Sequence, residues 1–190
     1  MGLIMNLFDK WSAGLSYANF LSKYASPSDN ARWQYALNQT VLTPEQHRLL
    51  IGFKRRMPVL CLAGAWCGDC AGQCPIFERF AEVAPVIDTH YLDRDAHADV
   101  QKALRINGGD RVPVVIFFSE DGYECARYGE RTLSQYRHLA QYAQGASCPT
   151  GLNPSDDPVP KQIVQDWLDE FERVQLVLRL SPRLRQIHGD

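Results

Sequence analysis

No apolar run in these 190 residues approaches the ~18 that a membrane-spanning helix needs; the longest, Met57 to Gly68, stops well short. A membrane partner is therefore not expected. The opening Met1-Gly-Leu-Ile-Met-Asn-Leu-Phe8 lacks the basic flank and the apolar length of a secretory leader, which predicts a cytoplasmic location. An excess of one charge is missing too. Twenty Lys and Arg against 22 Asp and Glu leave a net charge of −2, which supplies no footprint for nucleic acid. No glycine-rich phosphate loop occurs, so neither a nucleotide nor another cofactor is called for. Internal repeats and low-complexity tracts are absent as well.

What is present is a core-forming hydrophobic content of 45% and six cysteines. Without an export signal, that many cysteines fit a reducing compartment and a catalytic pair rather than structural disulfides. Two of them, Cys67 and Cys70, stand in Trp66-Cys67-Gly68-Asp69-Cys70, directly after the apolar run Pro58 to Ala65. Two cysteines at this spacing close a small disulfide only where the chain turns tightly, as at the start of a helix. There, backbone N–H groups and the positive helix end face the first sulfur and stabilise its thiolate. That thiolate is the attacking species of thiol–disulfide exchange, and the second cysteine resolves the mixed disulfide. Cys67 is therefore the candidate nucleophile and Cys70 the candidate resolving thiol. The competing reading is half of a zinc or iron–sulfur site, with Cys74 as a third ligand. Against it, no second Cys-x-x-Cys and no His-x-His cluster follows to complete the set, and Cys125 and Cys148 stand alone.

Periodicity divides the chain. Leu7, Phe8, Trp11 and Leu15, then Tyr17, Phe20, Leu21 and Tyr24, keep helical spacing, with a bend at Ser12-Ala-Gly14. Ser26-Pro-Ser28-Asp29 caps a short helix carrying Trp33 and Leu37, and Thr43-Pro44-Glu45-Gln46 is a capping box opening a helix to about Lys54. From Pro58 the pattern changes to strand 59–63, helix 70–84, strand 87–92, helix 96–104, strand 114–118, strand 126–128 and helix 132–142. That order predicts an α/β fold, a mixed central sheet flanked by helices. The proline- and glycine-rich stretch 145–160 reads as a linker. Beyond it, Ile163, Val164, Trp167, Leu168, Phe171, Val174 and Leu178 form an apolar stripe at helical spacing. The stripe predicts packing onto the domain, with a homodimer or other partner as the alternative. The expected organisation is a helical extension over 1–42, a domain over 43–144, the linker, and a C-terminal helix over 161–190.

Over roughly Thr43 to Gln144 the chain resembles the thioredoxin family. The resemblance rests on Trp-Cys-x-x-Cys, Pro75 five residues past Cys70, Val112-Pro113 before a buried strand, Gly122 in a hairpin turn and Gly129 after the next strand. Together with Arg105-Ile-Asn-Gly-Gly-Asp-Arg-Val-Pro113, the layout is similar to a bacterial thioredoxin-like subgroup with a helical N-terminal extension. The resemblance implies a disulfide oxidoreductase serving disulfide-containing protein substrates and recharged by a separate reductase. It implies a cis Pro113 facing the dithiol and a Val112 backbone that hydrogen-bonds the substrate chain. Trp66, Gly68, Asp69 and Gly129 complete the implied substrate-binding surface.

Two positions depart from the family pattern. Asp69 stands where thioredoxins carry proline, and Cys61 where they carry a buried proton-accepting aspartate. Cys61 is expected to be buried, unpaired and inert, since a thiol in an apolar strand is a poor base. Cys74 is expected to be a satellite thiol on the Cys70 face of the helix. Asp69, about 6 Å from the Cys67 sulfur, is expected to raise the thiol pKa by roughly half to two units. Arg111 is expected to face the same sulfur and offset part of that effect.

Overall fold

The structure, a computed structural model, describes residues 6–142 and 159–190. Four helices come first: α1 (Leu7–Ser12), α2 (Tyr17–Tyr24), α3 (Pro27–Gln39) and α4 (Pro44–Ile51). Local chemistry sets their ends. Ser26 and Asp29 exchange side-chain and backbone hydrogen bonds at the start of α3, Thr43 and Gln46 do the same for α4, and each helix has proline at its opening. Helix α4 ends at Ile51, short of the expected Lys54, because the chain leaves the helix at Gly52 and turns toward the first strand.

The sheet and its helices follow as β1 (Met57–Ala63), α5 (Gly68–Val83), β2 (Ile87–Asp93), α6 (Ala98–Ala103), β3 (Val114–Phe118), β4 (Glu124–Gly129) and α7 (Leu133–Tyr142). The strand order is β2-β1-β3-β4, with β1 parallel to β2 and antiparallel to β3, and β3 antiparallel to β4. This is the mixed, helix-flanked sheet that the sequence predicts. Every residue of β1 and of β3 is buried, which is why both read as unbroken apolar runs; β4 lies at the edge and is half-exposed. Gly122 turns the β3–β4 connection at φ +89°, a conformation that favours glycine.

The N-terminal helices close the other edge. Leu15 exchanges backbone hydrogen bonds of 2.9 and 2.7 Å with Tyr91 of β2, so that strand does not present a bare row of donors and acceptors. Trp11 stacks on His90 with ring centroids 4.8 Å apart and donates its indole N–H to the Asp88 carbonyl.

Two further helices end the chain, α8 (Val159–Leu180) and α9 (Pro182–His188). The apolar stripe of α8 turns inward. Trp167 meets Phe77 edge-on at 4.6 Å, and Phe171 meets Phe117 at 5.0 Å and Phe80 at 5.3 Å. Gln175 accepts the backbone N–H groups of Lys54 and Arg55 and donates to the Arg55 carbonyl, tying α8 to the chain just before β1. Of the expected linker, only Val159 and Pro160 are described, and both belong to α8, whose first turn tolerates proline. The rest of that stretch, with Cys148, lies outside the described residues, as do Met1 to Met5. Among the described residues, no helix is long and apolar enough to cross a membrane.

Candidate active site

β1 delivers the chain into Gly64-Ala65-Trp66, and Cys67 becomes the N-cap of α5. The Cys67 N–H bonds back to the Gly64 carbonyl at 3.0 Å, while the Cys67 carbonyl accepts the Ala71 N–H and starts the helix. No side chain caps this end, so the helix start faces the sulfur. Helix α3 grips the turn from outside: Trp33 donates its indole N–H to the Ala65 carbonyl at 2.8 Å, and Arg32 reaches the Trp66 carbonyl at 3.1 Å. The two carbonyls before Cys67 are thus fixed by a helix outside the sheet.

Access separates the two cysteines. Cys67 is 5% exposed and Cys70 not at all, so an incoming disulfide meets Cys67 first. Both are thiols, with no disulfide between them. Burial works against ionising Cys70, but hydrogen bonds from the Cys67 and Cys74 thiols and from the Gly64 amide more than offset it; the neighbouring Asp69 charge opposes them weakly. The outcome is a Cys70 thiol lowered to about 5.

Asp69 does not act as a lone charge. Its carboxylate is buried and paired with Arg131 at 2.7 Å, and it also accepts from Gln135 at 2.9 Å. A guanidinium this close cancels much of the field that an unpaired carboxylate would place on the dithiol. Arg111 lies close to the cis-proline loop but directs its guanidinium to Glu130 at 2.7 Å. Glu130, itself buried, also accepts the Tyr136 hydroxyl, so Arg111 has an anionic partner other than the Cys67 sulfur. Gln73 completes the support: it donates to the carbonyls of Asp69 and Glu130 and accepts the Trp167 indole N–H from α8. The supporting roles of Arg131, Glu130, Gln135, Gln73, Arg32 and Trp33 were not anticipated from the sequence, which gives no local signal for contacts made across the fold.

The Val112–Pro113 peptide is cis, and the Cys67 thiol lies 3.7 Å from the Val112 carbonyl, which places that backbone against the attacking sulfur. Gly129 is required beside it. At φ +152° its backbone disfavours any side chain, and a Cβ would fall 2.4 Å from the Pro113 oxygen. Trp66 is 46% exposed at the rim, under the Arg94 guanidinium at 4.5 Å and donating to Asp95. Gly68 is buried in the first turn of α5.

Cys61 is fully buried and without a disulfide, but it has a sulfur neighbour: its Sγ lies 3.7 Å from that of Cys74. Burial pushes both thiols up, Cys74 strongly so. Among the described residues, no three His, Cys, Asp or Glu side chains converge to hold a metal ion.

The thioredoxin family model matches residues 14–142, from just before α2 to the end of α7. The chain belongs to the thioredoxin family. Among curated proteins no match is found. Among solved structures the chain is similar to a protein of unknown function from Pseudomonas aeruginosa, at 18% identity and a TM-score of 0.67, covering 91% of this chain and 99% of that one. It is also similar to an HIV epitope-scaffold, at 15% identity and a TM-score of 0.61, covering 98% of this chain and 99% of that one. At these identities the likeness shows the thioredoxin-type fold alone.

Proposed function

We propose that this thioredoxin-family protein is a thiol–disulfide oxidoreductase that reduces disulfides of protein substrates in a reducing compartment such as the cytoplasm. The observation carrying the reading is the contact between the Cys67 thiol, at the start of α5, and the Val112 carbonyl beside cis Pro113. The Cys67 thiolate attacks one sulfur of the substrate disulfide, and the other sulfur leaves as a thiolate that takes up a proton. Cys70, held behind it, then attacks the Cys67 sulfur. The substrate is released with both cysteines reduced, and a Cys67–Cys70 disulfide remains for a separate reductase. Once Cys67 is ionised it no longer donates to the Val112 carbonyl, which becomes available to an N–H of the substrate chain. Exposed Trp66 gives that chain an apolar edge to lie on.

A second reading, a redox-sensing module that binds a partner without turnover, is favoured by the near-complete burial of Cys67. Trapping separates the two. In Cys70→Ser the resolving step is blocked, so substrate proteins should accumulate as adducts on Cys67 that dithiothreitol releases. Turnover of insulin disulfides by the parent protein, given a thioredoxin reductase system, distinguishes an enzyme from a sensor. An absence of adducts together with an absence of turnover would sink the oxidoreductase reading.

A further inference from the structure

The mechanism above leaves two buried sulfurs unused. Cys61, in the middle of β1, and Cys74, on α5, face each other across the strand–helix interface with Sγ atoms 3.7 Å apart. Both are fully buried. Cys74 lies one helical turn past Cys70 on the same face of α5, and Cys67 is the N-cap of that helix. The four cysteines therefore lie in file, from Cys67 at the helix start through Cys70 and Cys74 to Cys61 beneath the helix. We propose that Cys61 and Cys74 are a second redox dithiol, oxidised by the Cys67–Cys70 disulfide through exchange along this file. The proposal rests on the reading of Cys67 and Cys70 as an exchange pair.

The chemistry balances without an outside reagent. Cys74 attacks the Cys70 sulfur; the Cys70–Cys74 bond forms, the Cys67–Cys70 bond breaks, and its electron pair leaves on Cys67. Cys61 then attacks Cys74, the Cys61–Cys74 bond forms, and Cys70 leaves as a thiolate. The two protons of Cys61 and Cys74 end on Cys67 and Cys70. Two electrons have moved outward, and the outer pair is again a dithiol ready for another substrate. Closing the inner pair to a bond of about 2.05 Å needs the sulfurs to approach by roughly 1.7 Å, a distance that side-chain rotation covers. The product also suits its place. A disulfide carries no charge and no polar hydrogen, whereas burial opposes a thiolate at either position. One molecule would thus deliver four electrons to two substrate disulfides before a reductase is needed.

The test is a thiol count on the full chain carrying Cys125→Ser and Cys148→Ser, which removes the cysteines outside the file. The reduced protein is incubated with excess oxidised glutathione, quenched in acid, denatured, alkylated and mapped by peptide mass. The expected result is loss of four thiols, with Cys67–Cys70 and Cys61–Cys74 both recovered as linked peptides. Loss of two thiols, with Cys61 and Cys74 both alkylated, overturns the second dithiol and leaves the oxidoreductase reading standing. Loss of none overturns both. Adding Cys70→Ser to the same background should slow Cys61–Cys74 bond formation by at least about tenfold, because the file is broken. An unchanged rate there would show that the inner pair is not oxidised through the outer one.

Discussion

Helix α5 is capped by Cys67 and carries Cys74 about two turns further in, and the fold gives these two thiols opposite surroundings. At the helix start, backbone N–H groups converge, the Val112 carbonyl lies 3.7 Å from the Cys67 thiol, and the neighbouring Cys70 is lowered to about 5. At Cys74, the same helix offers only packed neighbours, and burial together with acceptor sulfurs on both sides, which hold its proton in place, pushes the thiol well up. The side chain is the same in both places. What differs is access, the position on the helix, and which partner donates to which. The difference between the two thiols is a property of the turn after β1 rather than of cysteine content.

The largest effect expected from this contrast is that of Cys67→Ala. It should abolish disulfide reduction by more than about 10³-fold, because no other described thiol sits at a helix start. Residual turnover in this variant would erase the distinction between the two ends of α5.

The Asp69–Arg131 pair offers an electrostatic way to sharpen it. Arg131→Met leaves a buried carboxylate without its cation, which should cost about 3–5 kcal/mol in urea unfolding and raise the outer pair's pKa. Asp69→Asn does the reverse to the field by uncovering the guanidinium, so the pair's pKa should fall by roughly half to two units. Thiolate absorbance reads both shifts. If the two variants moved the pKa in the same direction, the pairing would not be what tempers the Asp69 charge.

Support from outside the sheet should matter less. Trp33→Phe keeps the ring but removes the hydrogen bond to the Ala65 carbonyl, for an expected loss of about 1 kcal/mol in stability and a small fall in turnover. The smallest effect should be that of Cys74→Ala on single-substrate turnover at neutral pH. Removing a donor to Cys70 raises the outer pair's pKa slightly, and the rate should stay within about twofold. Loss of most turnover, with the fold intact by circular dichroism, would make Cys74 part of the attacking machinery.

Much of this was legible from local pattern. β3 runs from Val114 to Phe118 as expected, because five buried apolar residues admit no other strand there. The Thr43/Gln46 and Ser26/Asp29 caps formed because their chemistry lies within a single turn. Boundaries shifted where the sequence carries no local stop. α5 starts at Gly68 rather than Cys70, since a helix start is set by the backbone and not by the sulfur. α8 reaches back to Val159, and α9 was not anticipated at all. In the site, the cysteines, Val112-Pro113 and Gly129 were visible as a motif. The pairing of Asp69 with Arg131, 62 residues away, and the meeting of Cys61 with Cys74 were not, because only the folded sheet and helix bring those side chains together.

The claim at the centre of this account is that the turn after β1 makes Cys67 and Cys70 an exchange pair in which a Cys70 thiolate stands ready to take the Cys67 proton. It is tested most directly by single-turnover reduction of insulin disulfides by the reduced protein, measured as a function of pH. The low value is that of Cys70, whose thiolate accepts from the Cys67 thiol and can take its proton, so the rate should be flat from about pH 6 to 8 and fall by half near 5 as Cys70 is protonated. A rate that climbs throughout that range toward the ordinary cysteine pKa of about 8.5 would contradict the account, as would no reduction at any pH.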